Sequence, residues 1–258
     1  MLMEKLEKVL KKYGKVCVAY SGGTDSDFLL NMAVKFLGKE NVLAVIAKGI
    51  MLAQKDFDDA LRLAEKCGVQ TEVVEIDALS VEEFKFNRRE RCYFCKKNIM
   101  TNIKEKAMQY GFDVVADGKN TDDGKVFRPG ARAAVELGIV SPLFEAGFSK
   151  ADIRYWAEKE NIETWDKKSN SCLATRFLYD TELDENSLKA VEMAERYIFD
   201  KGYMGARVRV HSDIARIEID KKDFAKFIAE ENIADVLKEL GFKYVVLDME
   251  GFRSGSMD

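Results

Sequence analysis

Apolar runs of strand type alternate with runs of helical spacing from Lys15 to Asn161, and this alternation restricts the possible folds more than any other feature of the chain. The run KVCVAY (Lys15 to Tyr20) has the composition of a short buried strand. TDSDFLLNMAVKFLG then places Phe28, Leu29, Met32 and Phe36 at helical spacing before a terminal glycine. The same exchange recurs in NVLAVIAK, DFDDALRLAEKCG and TEVVEID, then in helical material through NIMTNIKEKAMQYG, the strand DVVADG and the helix ARAAVELG. A short strand, IVSPLF, precedes SKADIRYWAEKEN, where Ser149 followed by Asp152 suits a helix N-cap. Strands separated by helices join in parallel, so the expected architecture is α/β, a doubly wound parallel sheet with its ligand at the carboxyl ends of the strands.

After Asn161 the alternation stops. IETWDKKSNSCLATRFLYDTELDEN has little periodicity and is long enough to be a functional loop. Beyond it come the helix SLKAVEMAERYIFDKG, the strands ARVRVH and IARIEID, helical KKDFAKFIAEENIADVLKELG and the strand KYVVLDME, which together make a small α+β domain. A chain of 258 residues, 47% hydrophobic, can hold one large and one small domain. The expected partition is 1–165 for the sheet domain, 166–185 for a cysteine-bearing linker loop and 186–258 for the α+β domain. No run of about 18 apolar residues occurs. The start, MLMEKLEKVLKKYG, carries acids and no small-residue cleavage site, so neither a membrane span nor a signal peptide is expected and the chain is read as cytoplasmic.

Between the first strand and the first helix lies SGGTDS (Ser21 to Ser26). Small residues there leave backbone N–H groups uncovered at the positive end of the helix dipole, where a phosphate can approach closely. The loop lacks the lysine of G-x-x-x-x-G-K-[ST] and the spaced glycines of G-x-G-x-x-G. It resembles instead the pyrophosphate loop (PP-loop) of the ATP pyrophosphatase superfamily, which implies cleavage of ATP between the α and β phosphates and adenylation of a substrate. On that reading Ser21, Gly22, Gly23 and Ser26 hold the pyrophosphate, and Asp25 helps place a magnesium ion. An ordinary glycine-rich βα turn is the plain alternative. Asp117, Gly118 and Asn120 end the fourth strand at the same edge and are nucleotide-contact candidates, although a turn explains them nearly as well.

Charge and histidine content exclude other chemistries. There are 41 basic and 45 acidic residues, so no general field attracts a polyanion, and His211 is the single histidine, which rules out a multi-histidine metal site. Five cysteines in a chain read as cytoplasmic point to metal or redox use before disulfides. RCYFCKK spaces Cys92 and Cys95 as C-x-x-C, and Cys172 lies in the irregular loop, whereas Cys17 and Cys67 sit among apolar residues and read as core. Three thiolates favour an iron–sulfur cluster over structural zinc, which needs four ligands with only His211 as a fourth. A zinc staple or unrelated thiols is the alternative. Arg207, Arg209 and His211 alternate along one strand, so their side chains share a face, and two guanidiniums there suit a phosphate unless the face is merely solvated.

Several segments taken together carry a resemblance over nearly the full length. They are AYSGGTDS, VVADGKNTDD with RPGARAAVELGIVSPL, SCLATRF, ARVRVHSDIARIEI and the terminal GFKYVVLDMEGFRSGSM. The sequence resembles the LarE family, ATP-dependent sulfur transferases that assemble the nickel-pincer nucleotide cofactor of lactate racemase. The resemblance implies ATP and magnesium, and a small nucleotide substrate bearing a pyridinium dicarboxylate. Each carboxylate would be adenylated and then converted to a thiocarboxylate. It also implies catalytic roles for Cys172, Asp25, Arg176 and Glu195, with Asp223 a weaker match, and a homo-oligomer built through the C-terminal domain. In simpler members a cysteine at the position of Cys172 surrenders its own sulfur. Having Cys92 and Cys95 as well, this chain resembles the variant in which three cysteines hold a [4Fe-4S] cluster.

Three rival readings remain. A tRNA thiolase joins a similar loop to an iron–sulfur cluster, but the acidic balance and the absence of basic runs interleaved with aromatics weigh against nucleic acid. An amidating synthetase would need ammonia rather than thiolates. A sensor module would bind nucleotide without releasing pyrophosphate.

Overall fold

The computed structural model describes residues 1–125, 129–168 and 170–257. In chain order its elements are α1 (Leu2–Tyr13), β1 (Val16–Ala19), α2 (Thr24–Leu37), β2 (Val42–Lys48), α3 (Gln54–Cys67), β3 (Gln70–Glu75), α4 (Glu82–Lys85), α5 (Arg91–Gln109), β4 (Val115–Ala116), α6 (Pro129–Glu136), α7 (Pro142–Ala146), α8 (Lys150–Lys159), α9 (Glu185–Asp200), β5 (Arg207–His211), β6 (Ile214–Glu218), α10 (Phe224–Ile228), α11 (Ile233–Glu239) and β7 (Tyr244–Leu247). The chain divides into two compact units, one of Met1–Asp77 with Glu90–Ser169 and one of Ala78–Arg89 with Asn170–Asp258. No helix among the described residues is long and apolar enough to cross a membrane.

The first unit is the α/β body. Its four strands run in the order β3-β2-β1-β4, all parallel, with Val16 opposite Val42 and Cys17 opposite both Leu43 and Val115. Chain order moves outward from β1 to β3 and then returns to β4 on the other side of β1. That reversal opens a crevice at the carboxyl ends of β1 and β4, where an open parallel sheet takes its ligand. Val18, Ala44 and Ile46 from the strands join Phe28, Leu30 and Phe148 in one core, so the loop after β1 is anchored on both flanks. The expected strand at IVSPLF is reduced to one bridge between Ala116 and Val140, because Pro142 starts a helix immediately after it. Ser149 caps α8 by accepting from the Asp152 amide at 3.2 Å, as its position predicts.

The second unit holds a three-stranded sheet in the order β5-β6-β7, antiparallel between β5 and β6 and parallel between β6 and β7. One face presents Val208, Ala215 and Ile217, all buried, and α9 and α11 pack against β5 and β7. The other face is polar, since Arg207 lies opposite Glu218 and Arg209 opposite Arg216. The segment 78–89 belongs to this unit, where buried Asn87 donates through Nδ2 to the carbonyls of Phe177 and Leu178 at 3.2 and 2.8 Å. A single cut along the chain cannot reveal that pairing of distant segments.

Candidate functional site

In the first unit the chain turns after β1 through Tyr20, Ser21, Gly22 and Gly23 into α2. Gly22 has φ +66°, and a Cβ there would meet Ala60 Cβ at 2.8 Å, so both conformation and the approach of α3 demand glycine. The Ser21 and Ser26 hydroxyls lie 3.1 Å apart, and the Ser21 amide donates to Ser26 Oγ at 3.3 Å, which draws the loop into a ring over the helix N-terminus. From outside, Lys167 donates to the Gly22 carbonyl at 3.1 Å and the Thr24 hydroxyl donates to the Thr164 carbonyl at 2.7 Å. Asp27 is structural: its carboxylate accepts from Tyr20 and Thr164, both at 2.8 Å. The result is a rigid cradle of amides and hydroxyls facing the crevice.

The second wall of the crevice comes from the end of β4. A Cβ on Gly118 would lie 2.9 Å from the Ser26 amide nitrogen, so only glycine lets this segment touch the loop. Asn120, buried, donates through Nδ2 to Asp25 Oδ2 at 3.1 Å, and Asp117 accepts from the Ser141 hydroxyl at 2.8 Å. The other oxygen of Asp25, Oδ1, is buried without a hydrogen-bond partner. Burial pushes the Asp25 carboxyl above its ordinary value, Lys150 opposes the shift and Asp123 adds to it. An orphaned carboxylate oxygen beside a phosphate cradle fits a hard cation such as magnesium. The residues expected at the nucleotide therefore come together: Ser21, Gly22, Gly23, Asp25, Ser26, Gly118 and Asn120 share one edge, with Asp117 directly behind.

Four charged residues around this edge escaped the sequence reading. Lys150 and Arg154 on α8 and Asp123 act electrostatically on Asp25. Lys96 follows Cys95 on α5; burial lowers its ammonium, opposed by Asp117, Cys95 and Asp123. Its signal is the CKK triplet, visible in the sequence but without a partner until the fold supplies Asp117. Cys92 and Cys95 occupy the first turns of α5, the former exposed and the latter half-buried. Cys17 is buried in β1, its thiol pushed up to about 12 by burial, and burial raises Cys67 to about 11, so both behave as core. Within neither unit do three or more His, Cys, Asp or Glu side chains among the described residues form a ready metal-holding group.

In the second unit Cys172 is half-buried, immediately before a short 3-10 turn, Leu173–Arg176. Arg176 is fully buried and forked onto Glu195, Nε to Oε1 at 2.8 Å and Nη2 to Oε2 at 2.9 Å. Its Nη1 donates to the carbonyl and hydroxyl of Ser171 at 3.0 and 2.7 Å and to the Thr175 hydroxyl at 2.9 Å. One guanidinium thus fixes the whole cysteine turn, and Glu195 also accepts from the Val208 amide at 3.0 Å, tying that turn to β5. Arg207 and Arg209 share a face as their alternation requires, in different surroundings. Arg209 is buried, its Nε bound to Glu218 at 3.0 Å and its Nη1 to the Thr175 carbonyl at 3.0 Å. The Arg207 guanidinium lies 5.6 Å from the centre of the Phe252 ring. His211 Nε2 is buried without a partner, and burial followed by Arg216 pulls its pKa down.

Comparison with known proteins bears on this arrangement. The NAD synthase family pattern matches residues 1–115. The glutamine-dependent NAD(+) synthetase of Aquifex aeolicus is 30% identical over 41% of this chain and 20% of its own length. Over nearly the whole chain the similarity is to other proteins. An uncharacterized protein of Methanocaldococcus jannaschii is 36% identical over 97% of this chain and 96% of its own. The pyridinium-3,5-bisthiocarboxylic acid mononucleotide synthase of Lactiplantibacillus plantarum is 37% identical over 98% of this chain and 92% of its own. A match of that identity across both units, with a PP-loop at the crevice of the first, places the chain in the LarE family, the family of the pyridinium-3,5-bisthiocarboxylic acid mononucleotide synthase.

Proposed function

We propose that the chain uses ATP to adenylate the carboxylates of a pyridinium dicarboxylate mononucleotide and converts each to a thiocarboxylate, giving the bisthiocarboxylic acid mononucleotide for which its Lactiplantibacillus plantarum relative is named, in making the nickel-pincer cofactor of lactate racemase. The observation that carries this reading is the Asp25 carboxylate, bound to Asn120 on one oxygen and orphaned on the other, in the glycine-rich turn that opens α2. Magnesium held at Asp25 would share charge with the phosphates, while Ser21, Gly22, Gly23 and Ser26 receive the pyrophosphate and Asp117, Gly118 and Asn120 border the nucleotide. A substrate carboxylate is already a nucleophile at neutral pH, so its oxygen attacks the α phosphorus as the bond to pyrophosphate breaks, and positioning matters more than proton removal. Lys96, Lys150 and Arg154 stand around the charge that is moved.

Sulfur then displaces AMP from the acyl carbon. Arg176 and Glu195 hold the Cys172 turn, and Arg207 and Arg209 are the proposed contacts for the substrate phosphate. The soft donors Cys92, Cys95 and Cys172 are of the type a [4Fe-4S] cluster requires, and such a cluster would carry an extra sulfide, which an external sulfide source would replace for the protein to act repeatedly. A cytoplasmic homo-oligomer completes the proposal. The test is pyrophosphate release from ATP that depends on the dicarboxylate mononucleotide, with iron and sulfide analysis of protein purified without oxygen. Bound nucleotide without pyrophosphate release defeats the reading. Colourless, iron-free protein whose Cys172 becomes dehydroalanine after turnover replaces the cluster with sacrificial sulfur transfer.

A further inference from the structure

The polar face of the second unit contains a carboxylate that the proposed reaction does not use. Glu218, at the end of β6, is 0% exposed and is shared by two guanidiniums: its Oε2 accepts from Arg209 Nε at 3.0 Å and its Oε1 from Arg216 Nη2 at 3.1 Å. From Arg209 the contacts run toward the cysteine, since Nη1 donates to the Thr175 carbonyl at 3.0 Å and the Thr175 hydroxyl donates to the Cys172 carbonyl at 2.7 Å. From Arg216 they run toward the C-terminus. Nη2 also reaches the Ser256 carbonyl at 3.4 Å and Met257 Sδ at 3.3 Å, and Nη1 pairs with Asp248 at 3.3 Å. The tail is itself fixed, because the Phe252 amide donates to the Ile219 carbonyl at 2.9 Å and Gly251, at φ +70°, leaves no room for a side chain against that carbonyl.

We propose that Glu218 is a positioning residue for Cys172, joining the C-terminal tail to the cysteine turn through Arg209 and Arg216. This rests on reading Cys172 as the residue that handles sulfur. A buried carboxylate between two guanidiniums holds both in place; without its charge buried Arg209 loses Glu218 as its ion-pair partner, while Arg216, 20% exposed, keeps Asp248. Arg209 is then free to release the Thr175 carbonyl, and the turn carrying Cys172 loses its support from the sheet. Arg176 and Glu195 brace that turn from α9, so the loss is local and does not unfold the unit.

The experiment is peptide-resolved alkylation of the full-length chain by iodoacetamide in the presence of a chelator, with Cys92 as reference and hydrogen-exchange protection of the buried β5 and β6 peptides as the control for an intact second unit. In Glu218→Gln, Cys172 should be labelled at least about threefold faster relative to Cys92 while β5 and β6 keep their exchange protection, and Glu218→Asp should restore much of the parent rate. An unchanged Cys172 ratio in folded Glu218→Gln overturns the proposal. If Glu218→Gln loses that exchange protection, Arg209→Lys decides the matter, because it keeps a cation for Glu218 and loses the bond to Thr175: faster Cys172 labelling supports the role and an unchanged ratio refutes it. Labelling does not depend on turnover, so a parent chain without sulfur transfer would remove the proposed function and leave this result standing.

Discussion

The two units build their polar sites in opposite ways. In the first, Ser21 to Ser26 form the site from consecutive residues, held by local bonds such as that between Ser21 and Ser26 and by backbone that only glycine adopts. In the second, Arg176, Glu195, Arg209 and Glu218 come from a turn, a helix and two strands, and pair as Arg176 with Glu195 and Arg209 with Glu218, all buried but the partly exposed Glu195. A cradle of backbone amides tolerates loss of one side chain without loss of fold. A buried lattice of charges loses more stability when a member is removed, because the partner left behind is an uncompensated ion.

Arg176→Ala should give the largest effect. It leaves Glu195 charged and largely buried and removes the Nη1 and Nη2 hydrogen bonds to Asn170, Ser171, Cys172 and Thr175, so chemical denaturation should show a loss of about 3–5 kcal/mol in the transition of the second unit. Stability within about 1 kcal/mol of the parent would mean that the lattice is no more than a set of surface-like pairs. Asp25→Asn should behave in the contrary manner. Its fold should persist, while substrate-dependent pyrophosphate release falls about 10²-fold or more through loss of the cation partner. A fall of less than about tenfold would take Asp25 out of the chemistry. Gly118→Ala lies between these extremes. The added methyl would meet the Ser26 amide nitrogen at 2.9 Å and the Asp25 carbonyl carbon at 3.1 Å, so about 1–3 kcal/mol of stability and a weaker ATP affinity should be lost together. Unchanged ATP affinity would show that the end of β4 does not border the nucleotide.

The same contrast explains what the sequence made legible. Strand, loop and helix around Ser21 to Ser26 could be read because each is specified locally, by apolar period and by glycine at the turn. Alternation also put Arg207 and Arg209 on one face. What alternation could not show is that Arg209 is buried against Glu218, since register alone brings β5 and β6 side by side. Lys96, Asp123, Lys150 and Arg154 were missed for the same reason: a charge in a polar stretch looks solvated until the sheet order carries it to the crevice. Asn87 escaped as well, because its bonds to Phe177 and Leu178 span about a third of the chain. Chemistry held by backbone is written in neighbours along the chain, whereas chemistry held by buried charge pairs is written in register.

The smallest expected effect isolates the cost of keeping Asp25 charged. Burial raises its folded pKa above the unfolded carboxyl value, Lys150 partly offsets that and Asp123 reinforces it. A carboxyl raised on folding binds its proton more tightly in the folded state, so it stabilises at low pH, and that contribution disappears as pH climbs from the unfolded value through the folded one. Asp25→Asn cannot ionise. The variant should therefore gain stability relative to the parent as pH rises through the carboxylate range, and thermal melts across that range measure the gain. Saturating magnesium and ATP should shrink the difference at neutral pH, because a bound cation favours the ionised carboxylate in the parent and has no charge to meet in the variant. A pH-independent difference would mean that Asp25 ionises as freely in the fold as in water, and the cradle would then have to owe its affinity for phosphate to its amides alone.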